Sequence, residues 1–342
     1  MILLTGGSGL VGSHLIYDLT ASGERVRALK RKSSRLDIVK KIFRWYNPTG
    51  YEEQFEKIEW VDGDISDIIS LREALKGVKK VFHCAAVVSF IPSERPWMLK
   101  INIEGTANLV NACLLEGVEK FCHCSSISAV GRPDTGTWVD ESLIWKTSRK
   151  NSYYSISKFG AEREVWRGSE EGLNVVIVNP SVIIGPGDPY RSSARLFTTV
   201  KNGLRFYSTG ATGFVDARDV SKAMKELMEK DIVNERYIVN SENMSYKALF
   251  EMIARHARVK PPFFKAGPLL SEAAWRLEKV RSIVTGSNPL ITRETARSAN
   301  SNFQFSNEKI VQDLNLSFRT IEEAAHNTAG FFEMFAEEGK VR

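Results

Sequence analysis

Through the first half of the chain, short apolar runs alternate with longer helical patterns, the arrangement of parallel strands joined by crossover helices. Runs near residues 1–5, 25–30, 58–61, 79–84, 119–124 and 173–179 predict strands. Several carry no polar alternation, as Val175, Val176, Ile177 and Val178 illustrate. Strands of that kind are buried on both faces, which predicts an α/β fold built on a doubly wound parallel sheet.

Two stretches depart from this rhythm. Residues 33–57 are charged, contain Pro48 and Gly50, and predict an irregular excursion rather than a tight turn. Beyond Asn179 and Pro180 come the loop-rich Gly185, Pro186, Gly187, Asp188 and Pro189, then mostly helical patterning, with helices expected near 245–258, 269–284 and 320–336. Residues 1–180 are assigned to a sheet domain and 181–342 to a smaller, mainly helical substrate-binding part, with segments near 205–240 returning to the sheet domain. The chain shows no internal repeat and no low-complexity tract.

With 342 residues, 43% of them hydrophobic, the chain has ample material for a large core. Its formal net charge of +6 comes from 47 basic against 41 acidic residues. That mixed surface suits anionic small molecules, and nucleic acid is not an expected partner. Cys84, Cys113, Cys122 and Cys124 have neither the density nor the spacing of a disulfide framework, so a reducing, cytoplasmic setting is expected. Cys122, His123 and Cys124 fall in a strand run where neighbours point to opposite faces, which argues against a metal site. Met1, Ile2, Leu3 and Leu4 run into a glycine-rich turn without a basic leader, which argues against secretion. Glu272, Arg276, Glu278, Lys279 and Arg281 interrupt the best C-terminal apolar stretch, short of the roughly 18 uncharged residues that a spanning helix needs. That stretch is expected to be a packed amphipathic surface helix, with no membrane partner.

Thr5, Gly6, Gly7, Ser8, Gly9, Leu10, Val11 and Gly12 follow the first strand at once and open a helical pattern. Glycines at such a turn let the backbone approach a pyrophosphate closely, and the helix N-terminus favours its charge. The fold expectation is thereby narrowed to a Rossmann-type sheet that binds a dinucleotide. The second strand ends on Lys30, Arg31 and Lys32, where an NAD enzyme would place a carboxylate for the ribose 2′-hydroxyl. Cations there suit a 2′-phosphate, Arg31 first among them because a guanidinium grips phosphate bidentately. NADP(H) is the favoured cofactor, with NAD(H) the alternative.

Tyr154 and Lys158 stand four apart at the start of a helical pattern, so both project from one face. A lysine ammonium beside a phenol lowers its pKa from about 10 and fits the tyrosine for proton transfer. Tyr153 has Ser157 rather than a lysine four residues on, and is not the candidate.

Taken in order, the chain resembles the extended short-chain dehydrogenase/reductase family over most of its length. The matches are the glycine run, Asp62-Gly63-Asp64-Ile65, His83-Cys84-Ala85-Ala86, the stretch from Asn102 to Asn108, Ser125-Ser126 with Gly131 beyond, Tyr154 with Lys158, and Asn179-Pro180. The resemblance implies that Ser126, Tyr154 and Lys158 are catalytic. It places Gly6, Ser8, Gly9, Leu10, Val11 and Gly12 at the cofactor phosphates, Asp64 and Ile65 at the adenine, Ala85 and Ala86 along the cofactor, and Pro180 and Val182 at the nicotinamide. Lys158 would also bind the nicotinamide ribose. Asn102 belongs to the cofactor-site set mainly as the residue ordering its strand-to-helix turn. Hydride would pass between nicotinamide and a carbonyl or carbinol carbon, with Ser126 hydrogen-bonding the oxygen and Tyr154 giving or taking its proton.

Within that family the look is closest to dihydroflavonol 4-reductase and 3β-hydroxysteroid dehydrogenase-like proteins, which implies reduction of a small, apolar carbonyl compound. Nucleotide-sugar epimerases and dehydratases are the alternative. Those carry an arginine for the substrate diphosphate where this chain has Thr212, counting back from Asp219, although Arg191, Arg195 and Arg205 are available to replace it. A non-catalytic NADP-binding sensor is a further alternative, disfavoured by the intact Ser126, Tyr154 and Lys158. The C-terminal stretches 286–292 and 303–309 also look like the dihydroflavonol-reductase branch. Phe90, Trp97, Trp138 and Trp145 are candidates for the substrate mouth, His14, His83 and His256 are taken as packing, turn or surface histidines, and a homodimer is expected from the resemblance.

Overall fold

The computed structural model describes residues 1–285, 289 and 292–336. Its central sheet comprises β1 (Ile2–Thr5), β2 (Val26–Lys30), β3 (Ile58–Asp62), β4 (Lys80–His83), β5 (Lys120–Cys124), β6 (Val175–Pro180) and β7 (Glu235–Val239). Their order is β7-β6-β5-β4-β1-β2-β3, all parallel. This is the Rossmann-type α/β sheet that the apolar runs predict. The strand order reverses between β1 and β4, which opens a crevice at the carboxyl ends of those strands. β7 was missing from the strand expectations, because only Tyr237, Ile238 and Val239 of its five residues read as an apolar run.

Both faces of the sheet are covered, which is why its strands lack alternation. Leu4, Ala28, Phe82, Cys122, Cys124, Val176 and Val178 pack beneath α1 (Leu10–Ala21) and the helix Ala217–Glu229. Leu3, Val81, Phe121, Val175 and Ile177 pack on the opposite side with Leu71, Val110 and Val165 from three other helices.

Residues 33–57 are not an irregular excursion. They form α2 (Leu36–Tyr46) and α3 (Tyr51–Glu56). Val39, Phe43 and Phe55 enter the main core, while Ile38 and Ile42 join Phe331 and Phe335 of the C-terminal helix Ile321–Ala336. Trp45 Nε1 donates to Asn327 Oδ1 at 2.8 Å across the same seam. The charged residues mask a helix with two apolar stripes, and Pro48 and Gly50 fall in the turn between α2 and α3.

The C-terminal part has its own core of Ile184, Phe197, Phe214, Leu249, Ile253 and Ile321. It includes the helices Tyr246–His256 and Pro268–Thr285. The second of these departs from the packed surface helix expected there, since Leu269 is 90% and Leu277 72% exposed. No described helix is long and apolar enough to cross a membrane. Gly286, Ser287, Asn288, Leu290 and Ile291, part of the C-terminal resemblance, lie outside the described residues.

Candidate active site

The crevice begins at the turn from β1 into α1. Gly6 has φ +76°, and a Cβ there would stand 2.5 Å from Ala85 N. A Cβ on Gly12 would stand 2.2 Å from the Gly6 carbonyl oxygen. These contacts exclude any larger residue at either position, because the obstructing atoms are backbone. Gly9 occupies the N-cap of α1 with no side chain to cap it, and the helical ladder starts with Ser13 N donating to Gly9 O at 3.0 Å. The amides of Leu10, Val11 and Gly12 thus lack intrahelical acceptors, and with Ser8 beside them they form a cradle for a phosphate at the positive end of the helix. A dinucleotide pyrophosphate fits this turn.

At the end of β2, Lys30 Nζ pairs with Asp62 Oδ1 of β3 at 2.5 Å, so its charge is already engaged. That removes Lys30 from the free cations expected there. Arg31 and Lys32 are exposed, and neither has an ion-pair partner among the described residues. In the loop after β3, Asp64 Oδ1 accepts from Ser66 N at 2.9 Å and Ser66 Oγ at 2.7 Å, while Ile65 is buried against Gly105. Ala85 and Ala86 continue from β4 along the crevice, Ala86 exposed.

Asn102 is buried, and its amide oxygen and both amide hydrogens are engaged. Oδ1 accepts from Val87 N at 2.7 Å, and Nδ2 donates to Val87 O and Ser157 Oγ, both at 2.9 Å. It ties the loop after β4 to the helix carrying Tyr154, the ordering role expected of it, with both amide hydrogens engaged within the protein.

That helix runs Tyr153–Glu170 and is capped by Ser152, whose Oγ accepts from Ser155 N at 3.0 Å. Tyr154, in its first turn, stands beside Ser126 at the end of β5. One turn further, Lys158 is 2% exposed and its Nζ donates to Cys124 O at 2.8 Å. Serine, tyrosine and lysine from two separate elements are therefore brought together. Tyr153 points elsewhere, with the Arg95 guanidinium 4.2 Å from its ring centroid.

The phenol does not show the lowered pKa that the Tyr154 and Lys158 spacing predicts. Burial pushes it up to about 12, opposed by the Ser126 hydroxyl beside it. Burial also lowers the Lys158 ammonium from its ordinary range. The physical reason is that desolvation penalises the phenolate, while the lysine proton donor is directed at a backbone carbonyl. The tyrosine is held in its proton-carrying form.

Beneath these groups lies a buried network that spacing did not reveal. Glu162, 1% exposed, accepts at Oε2 from Ser125 Oγ at 2.8 Å and Asn179 Nδ2 at 2.9 Å, and its Oε1 is 3.3 Å from Arg236 Nη1. Asn179 Nδ2 also donates to Ser126 O at 3.0 Å. Ser125 is thereby turned into the core while Ser126 faces Tyr154. The available signal was Glu162 four residues after Lys158, on the same helical face. Pro180 ends β6 beside Val239 of β7, and Val182 opens the next short strand, Val182–Ile184.

Among the aromatic candidates, Phe90 lies 5.7 Å from Tyr154 ring to ring, whereas Trp145 stacks on Phe159 at 4.4 Å. Trp97 and Trp138 are about half exposed, at 46% and 49%. His83 bridges Thr5 Oγ1 at 2.7 Å and Thr106 Oγ1 at 3.0 Å, His14 bonds Leu10 O at 2.8 Å, and His256 bonds Glu322 at 2.6 Å. Asp219, the last residue of the motif examined for a diphosphate arginine, is buried and accepts from Arg319 N at 2.7 Å.

Residues 2–240 match the family described as NAD dependent epimerase/dehydratase. A putative dihydroflavonol 4-reductase of Synechocystis sp. is 27% identical over 337 residues, covering 96% of this chain and 94% of that protein. Sterol demethylase protein B of Methylococcus capsulatus is 31% identical over 255 residues, 73% of each chain. The crystal structure of gox2253 superposes with a TM-score of 0.80 at 30% identity, over 98% of both chains. The chain belongs to the NAD dependent epimerase/dehydratase family, the extended short-chain dehydrogenases/reductases, and is an NAD(P)-dependent oxidoreductase.

Proposed function

We propose that this enzyme uses NADP(H) to reduce the carbonyl of a small, apolar substrate, or to oxidise the corresponding alcohol, with Ser126, Tyr154 and Lys158 as its working groups. The observation that carries this reading is Ser126 standing beside Tyr154, with the buried Lys158 one turn below. When bound, the dinucleotide supplies or accepts a hydride at the reacting carbon. Ser126 holds the substrate oxygen. Tyr154, protonated at neutral pH, donates its hydroxyl proton as negative charge grows there. Lys158 holds a positive charge beneath the phenol, favouring the phenolate left behind. Leu10, Val11 and Gly12 offer their amides to the pyrophosphate, and Arg31 faces a 2′-phosphate.

The apolar character of the substrate is supported by Phe90 beside Tyr154. A nucleoside diphosphate sugar is a poorer match. Thr212 holds the position of the expected arginine, and the two arginines near that motif are engaged, Arg218 with Asp216 at 2.5 Å and Arg319 with Asp219.

The test follows NADPH consumption across aldehydes, ketones and flavonoid- or steroid-like carbonyls, with wild type and Tyr154→Phe. The variant should lose about 10²- to 10⁴-fold in kcat while binding NADPH as before. Full activity in Tyr154→Phe would overturn the assignment, and turnover of nucleotide sugars alone would move the enzyme to the epimerase branch.

A further inference from the structure

Two cysteines sit side by side at the floor of the crevice, and the proposed chemistry uses neither. β4 and β5 pair in parallel register up to His83 and His123, so Cys124 is the last residue of β5 and Cys84 the first beyond the end of β4. Both belong to the same face of the sheet, next to the α1 side of the core, with Cys84 packed against the cluster that contains Cys124. Paired strands lie about 4.8 Å apart, inside the roughly 4.4 to 6.8 Å between Cα atoms that a disulfide spans. Cys84 is partly exposed and Cys124 is 9% exposed, whereas Cys113 and Cys122 are fully buried.

We propose that Cys84 and Cys124 form a reversible disulfide under peroxide, a thiol modification site that closes the enzyme to its dinucleotide. The chemistry is balanced by the peroxide itself. The Cys124 thiolate attacks one peroxide oxygen, the O–O bond breaks, and a sulfenic acid and hydroxide result, the hydroxide becoming water with the proton that the Cys124 thiol released. The Cys84 sulfur then displaces hydroxide from that sulfenic acid, the S–S bond forms, and the thiol proton leaves with the hydroxide as a second water. Two thiols are oxidised and one peroxide is reduced. The surroundings favour Cys124 as the attacking sulfur, since the neighbouring Cys84 thiol and the nearby Lys158 ammonium lower its pKa despite burial.

The location gives this bond a consequence. The Cys84 carbonyl carbon stands where a Cβ on Gly6 would come within 2.5 Å, so Cys84 backs directly on the phosphate turn. On the other strand, Cys124 O accepts the hydrogen bond of Lys158 Nζ. Drawing the two sulfurs to bonding distance shifts both backbones, and with them the first glycine and the lysine. A bound dinucleotide would in turn cover the pair. This last part rests on the cofactor reading, whereas formation of the bond does not.

The experiment treats the full chain with hydrogen peroxide, with and without saturating NADPH, and reads intact mass, cross-linked peptides and NADPH binding by calorimetry. A loss of two hydrogens, a Cys84–Cys124 cross-linked peptide, slower formation with NADPH present, NADPH binding weakened by about tenfold or more, and recovery with dithiothreitol are expected. Cys84→Ser and Cys124→Ser should abolish the cross-link, and Cys113→Ser and Cys122→Ser should retain it. Oxidation that adds oxygen without a cross-link, or a cross-link that survives in Cys84→Ser, overturns the pair. A cross-linked protein that binds NADPH as tightly as the reduced one overturns the closing effect. Failure of the reduced protein to bind any dinucleotide counts against the cofactor reading, while the mass measurement still decides the thiol pair.

Discussion

The two ends of the nucleotide crevice are built in opposite ways. At the end near Tyr154, the groups are buried and each is fastened by a second partner: Lys158 by Cys124 O, Asn179 by Glu162 and Ser126 O, Asn102 by the Val87 backbone. At the far end, Arg31 and Lys32 lie on the surface without ion-pair partners among the described residues, and of the three Lys30 alone is engaged there. Proton transfer requires atoms held within hydrogen-bond reach, so the positions must be set by burial and by supporting bonds. Gripping a phosphate with an exposed cation tolerates a mobile side chain, and is weaker and more sensitive to salt.

The contrast can be broken or sharpened by measurement. Tyr154→Phe, described above, carries the largest expected effect on rate. Next is Glu162→Gln, which leaves Arg236 facing a neutral amide in the core. Breaking a buried ion pair costs about 3–5 kcal/mol, so the urea midpoint should fall steeply. A loss below about 1 kcal/mol would mean that the network does not fasten the site.

At the far end, Arg31→Ala should weaken NADPH by about 1.5 to 3 kcal/mol, the range of one charged hydrogen-bonded contact, and leave NADH unchanged. Lys30→Ala should matter less, since Lys30 is paired with Asp62. Equal losses for NADPH and NADH in Arg31→Ala would remove the 2′-phosphate role. Calorimetric titration with both dinucleotides in parallel reads this directly.

The last effect is a slope, small over any one pH unit. His83, buried between Thr5 and Thr106, has its pKa lowered from 6.5 to about 3 by burial. A depressed folded-state value means that the unfolded chain takes up the proton first as pH falls. The stabilising contribution is whole above pH 6.5 and is lost as pH falls from there towards about 3. Wild type should therefore lose up to about 1.4 kcal/mol per pH unit more than His83→Asn over that window. Identical acid slopes in urea titrations of the two proteins would show that His83 is not held neutral.

Much of this was legible in the residues. Apolar runs located six of the seven strands of the sheet, and the glycine positions announced the turn in which Gly6 and Gly12 have no room for a Cβ. The spacing of Tyr154 and Lys158 located one helical face. The reading failed where a local pattern has two explanations. In residues 33–57, dense charge obscured stripes that become apolar faces only when the C-terminal helix, with Phe331 and Phe335, arrives from nearly 300 residues away. On Pro268–Thr285, interrupted apolar spacing suggested a packed face, yet Leu269 and Leu277 are turned outward.

By itself, the order of residues determined the periodicities, the backbone positions that only glycine can occupy, and the chemical groups available. These are local properties, decided by side-chain size and by the geometry of strand and helix. Which groups meet was decided by the tertiary structure. Folding set Ser126 against Tyr154, drew Glu162 beneath them, paired Lys30 with Asp62, and brought Cys84 against the core cluster that holds Cys124. It also raised the Tyr154 pKa instead of lowering it, because desolvation depends on everything packed around the phenol and on none of its neighbours in sequence alone.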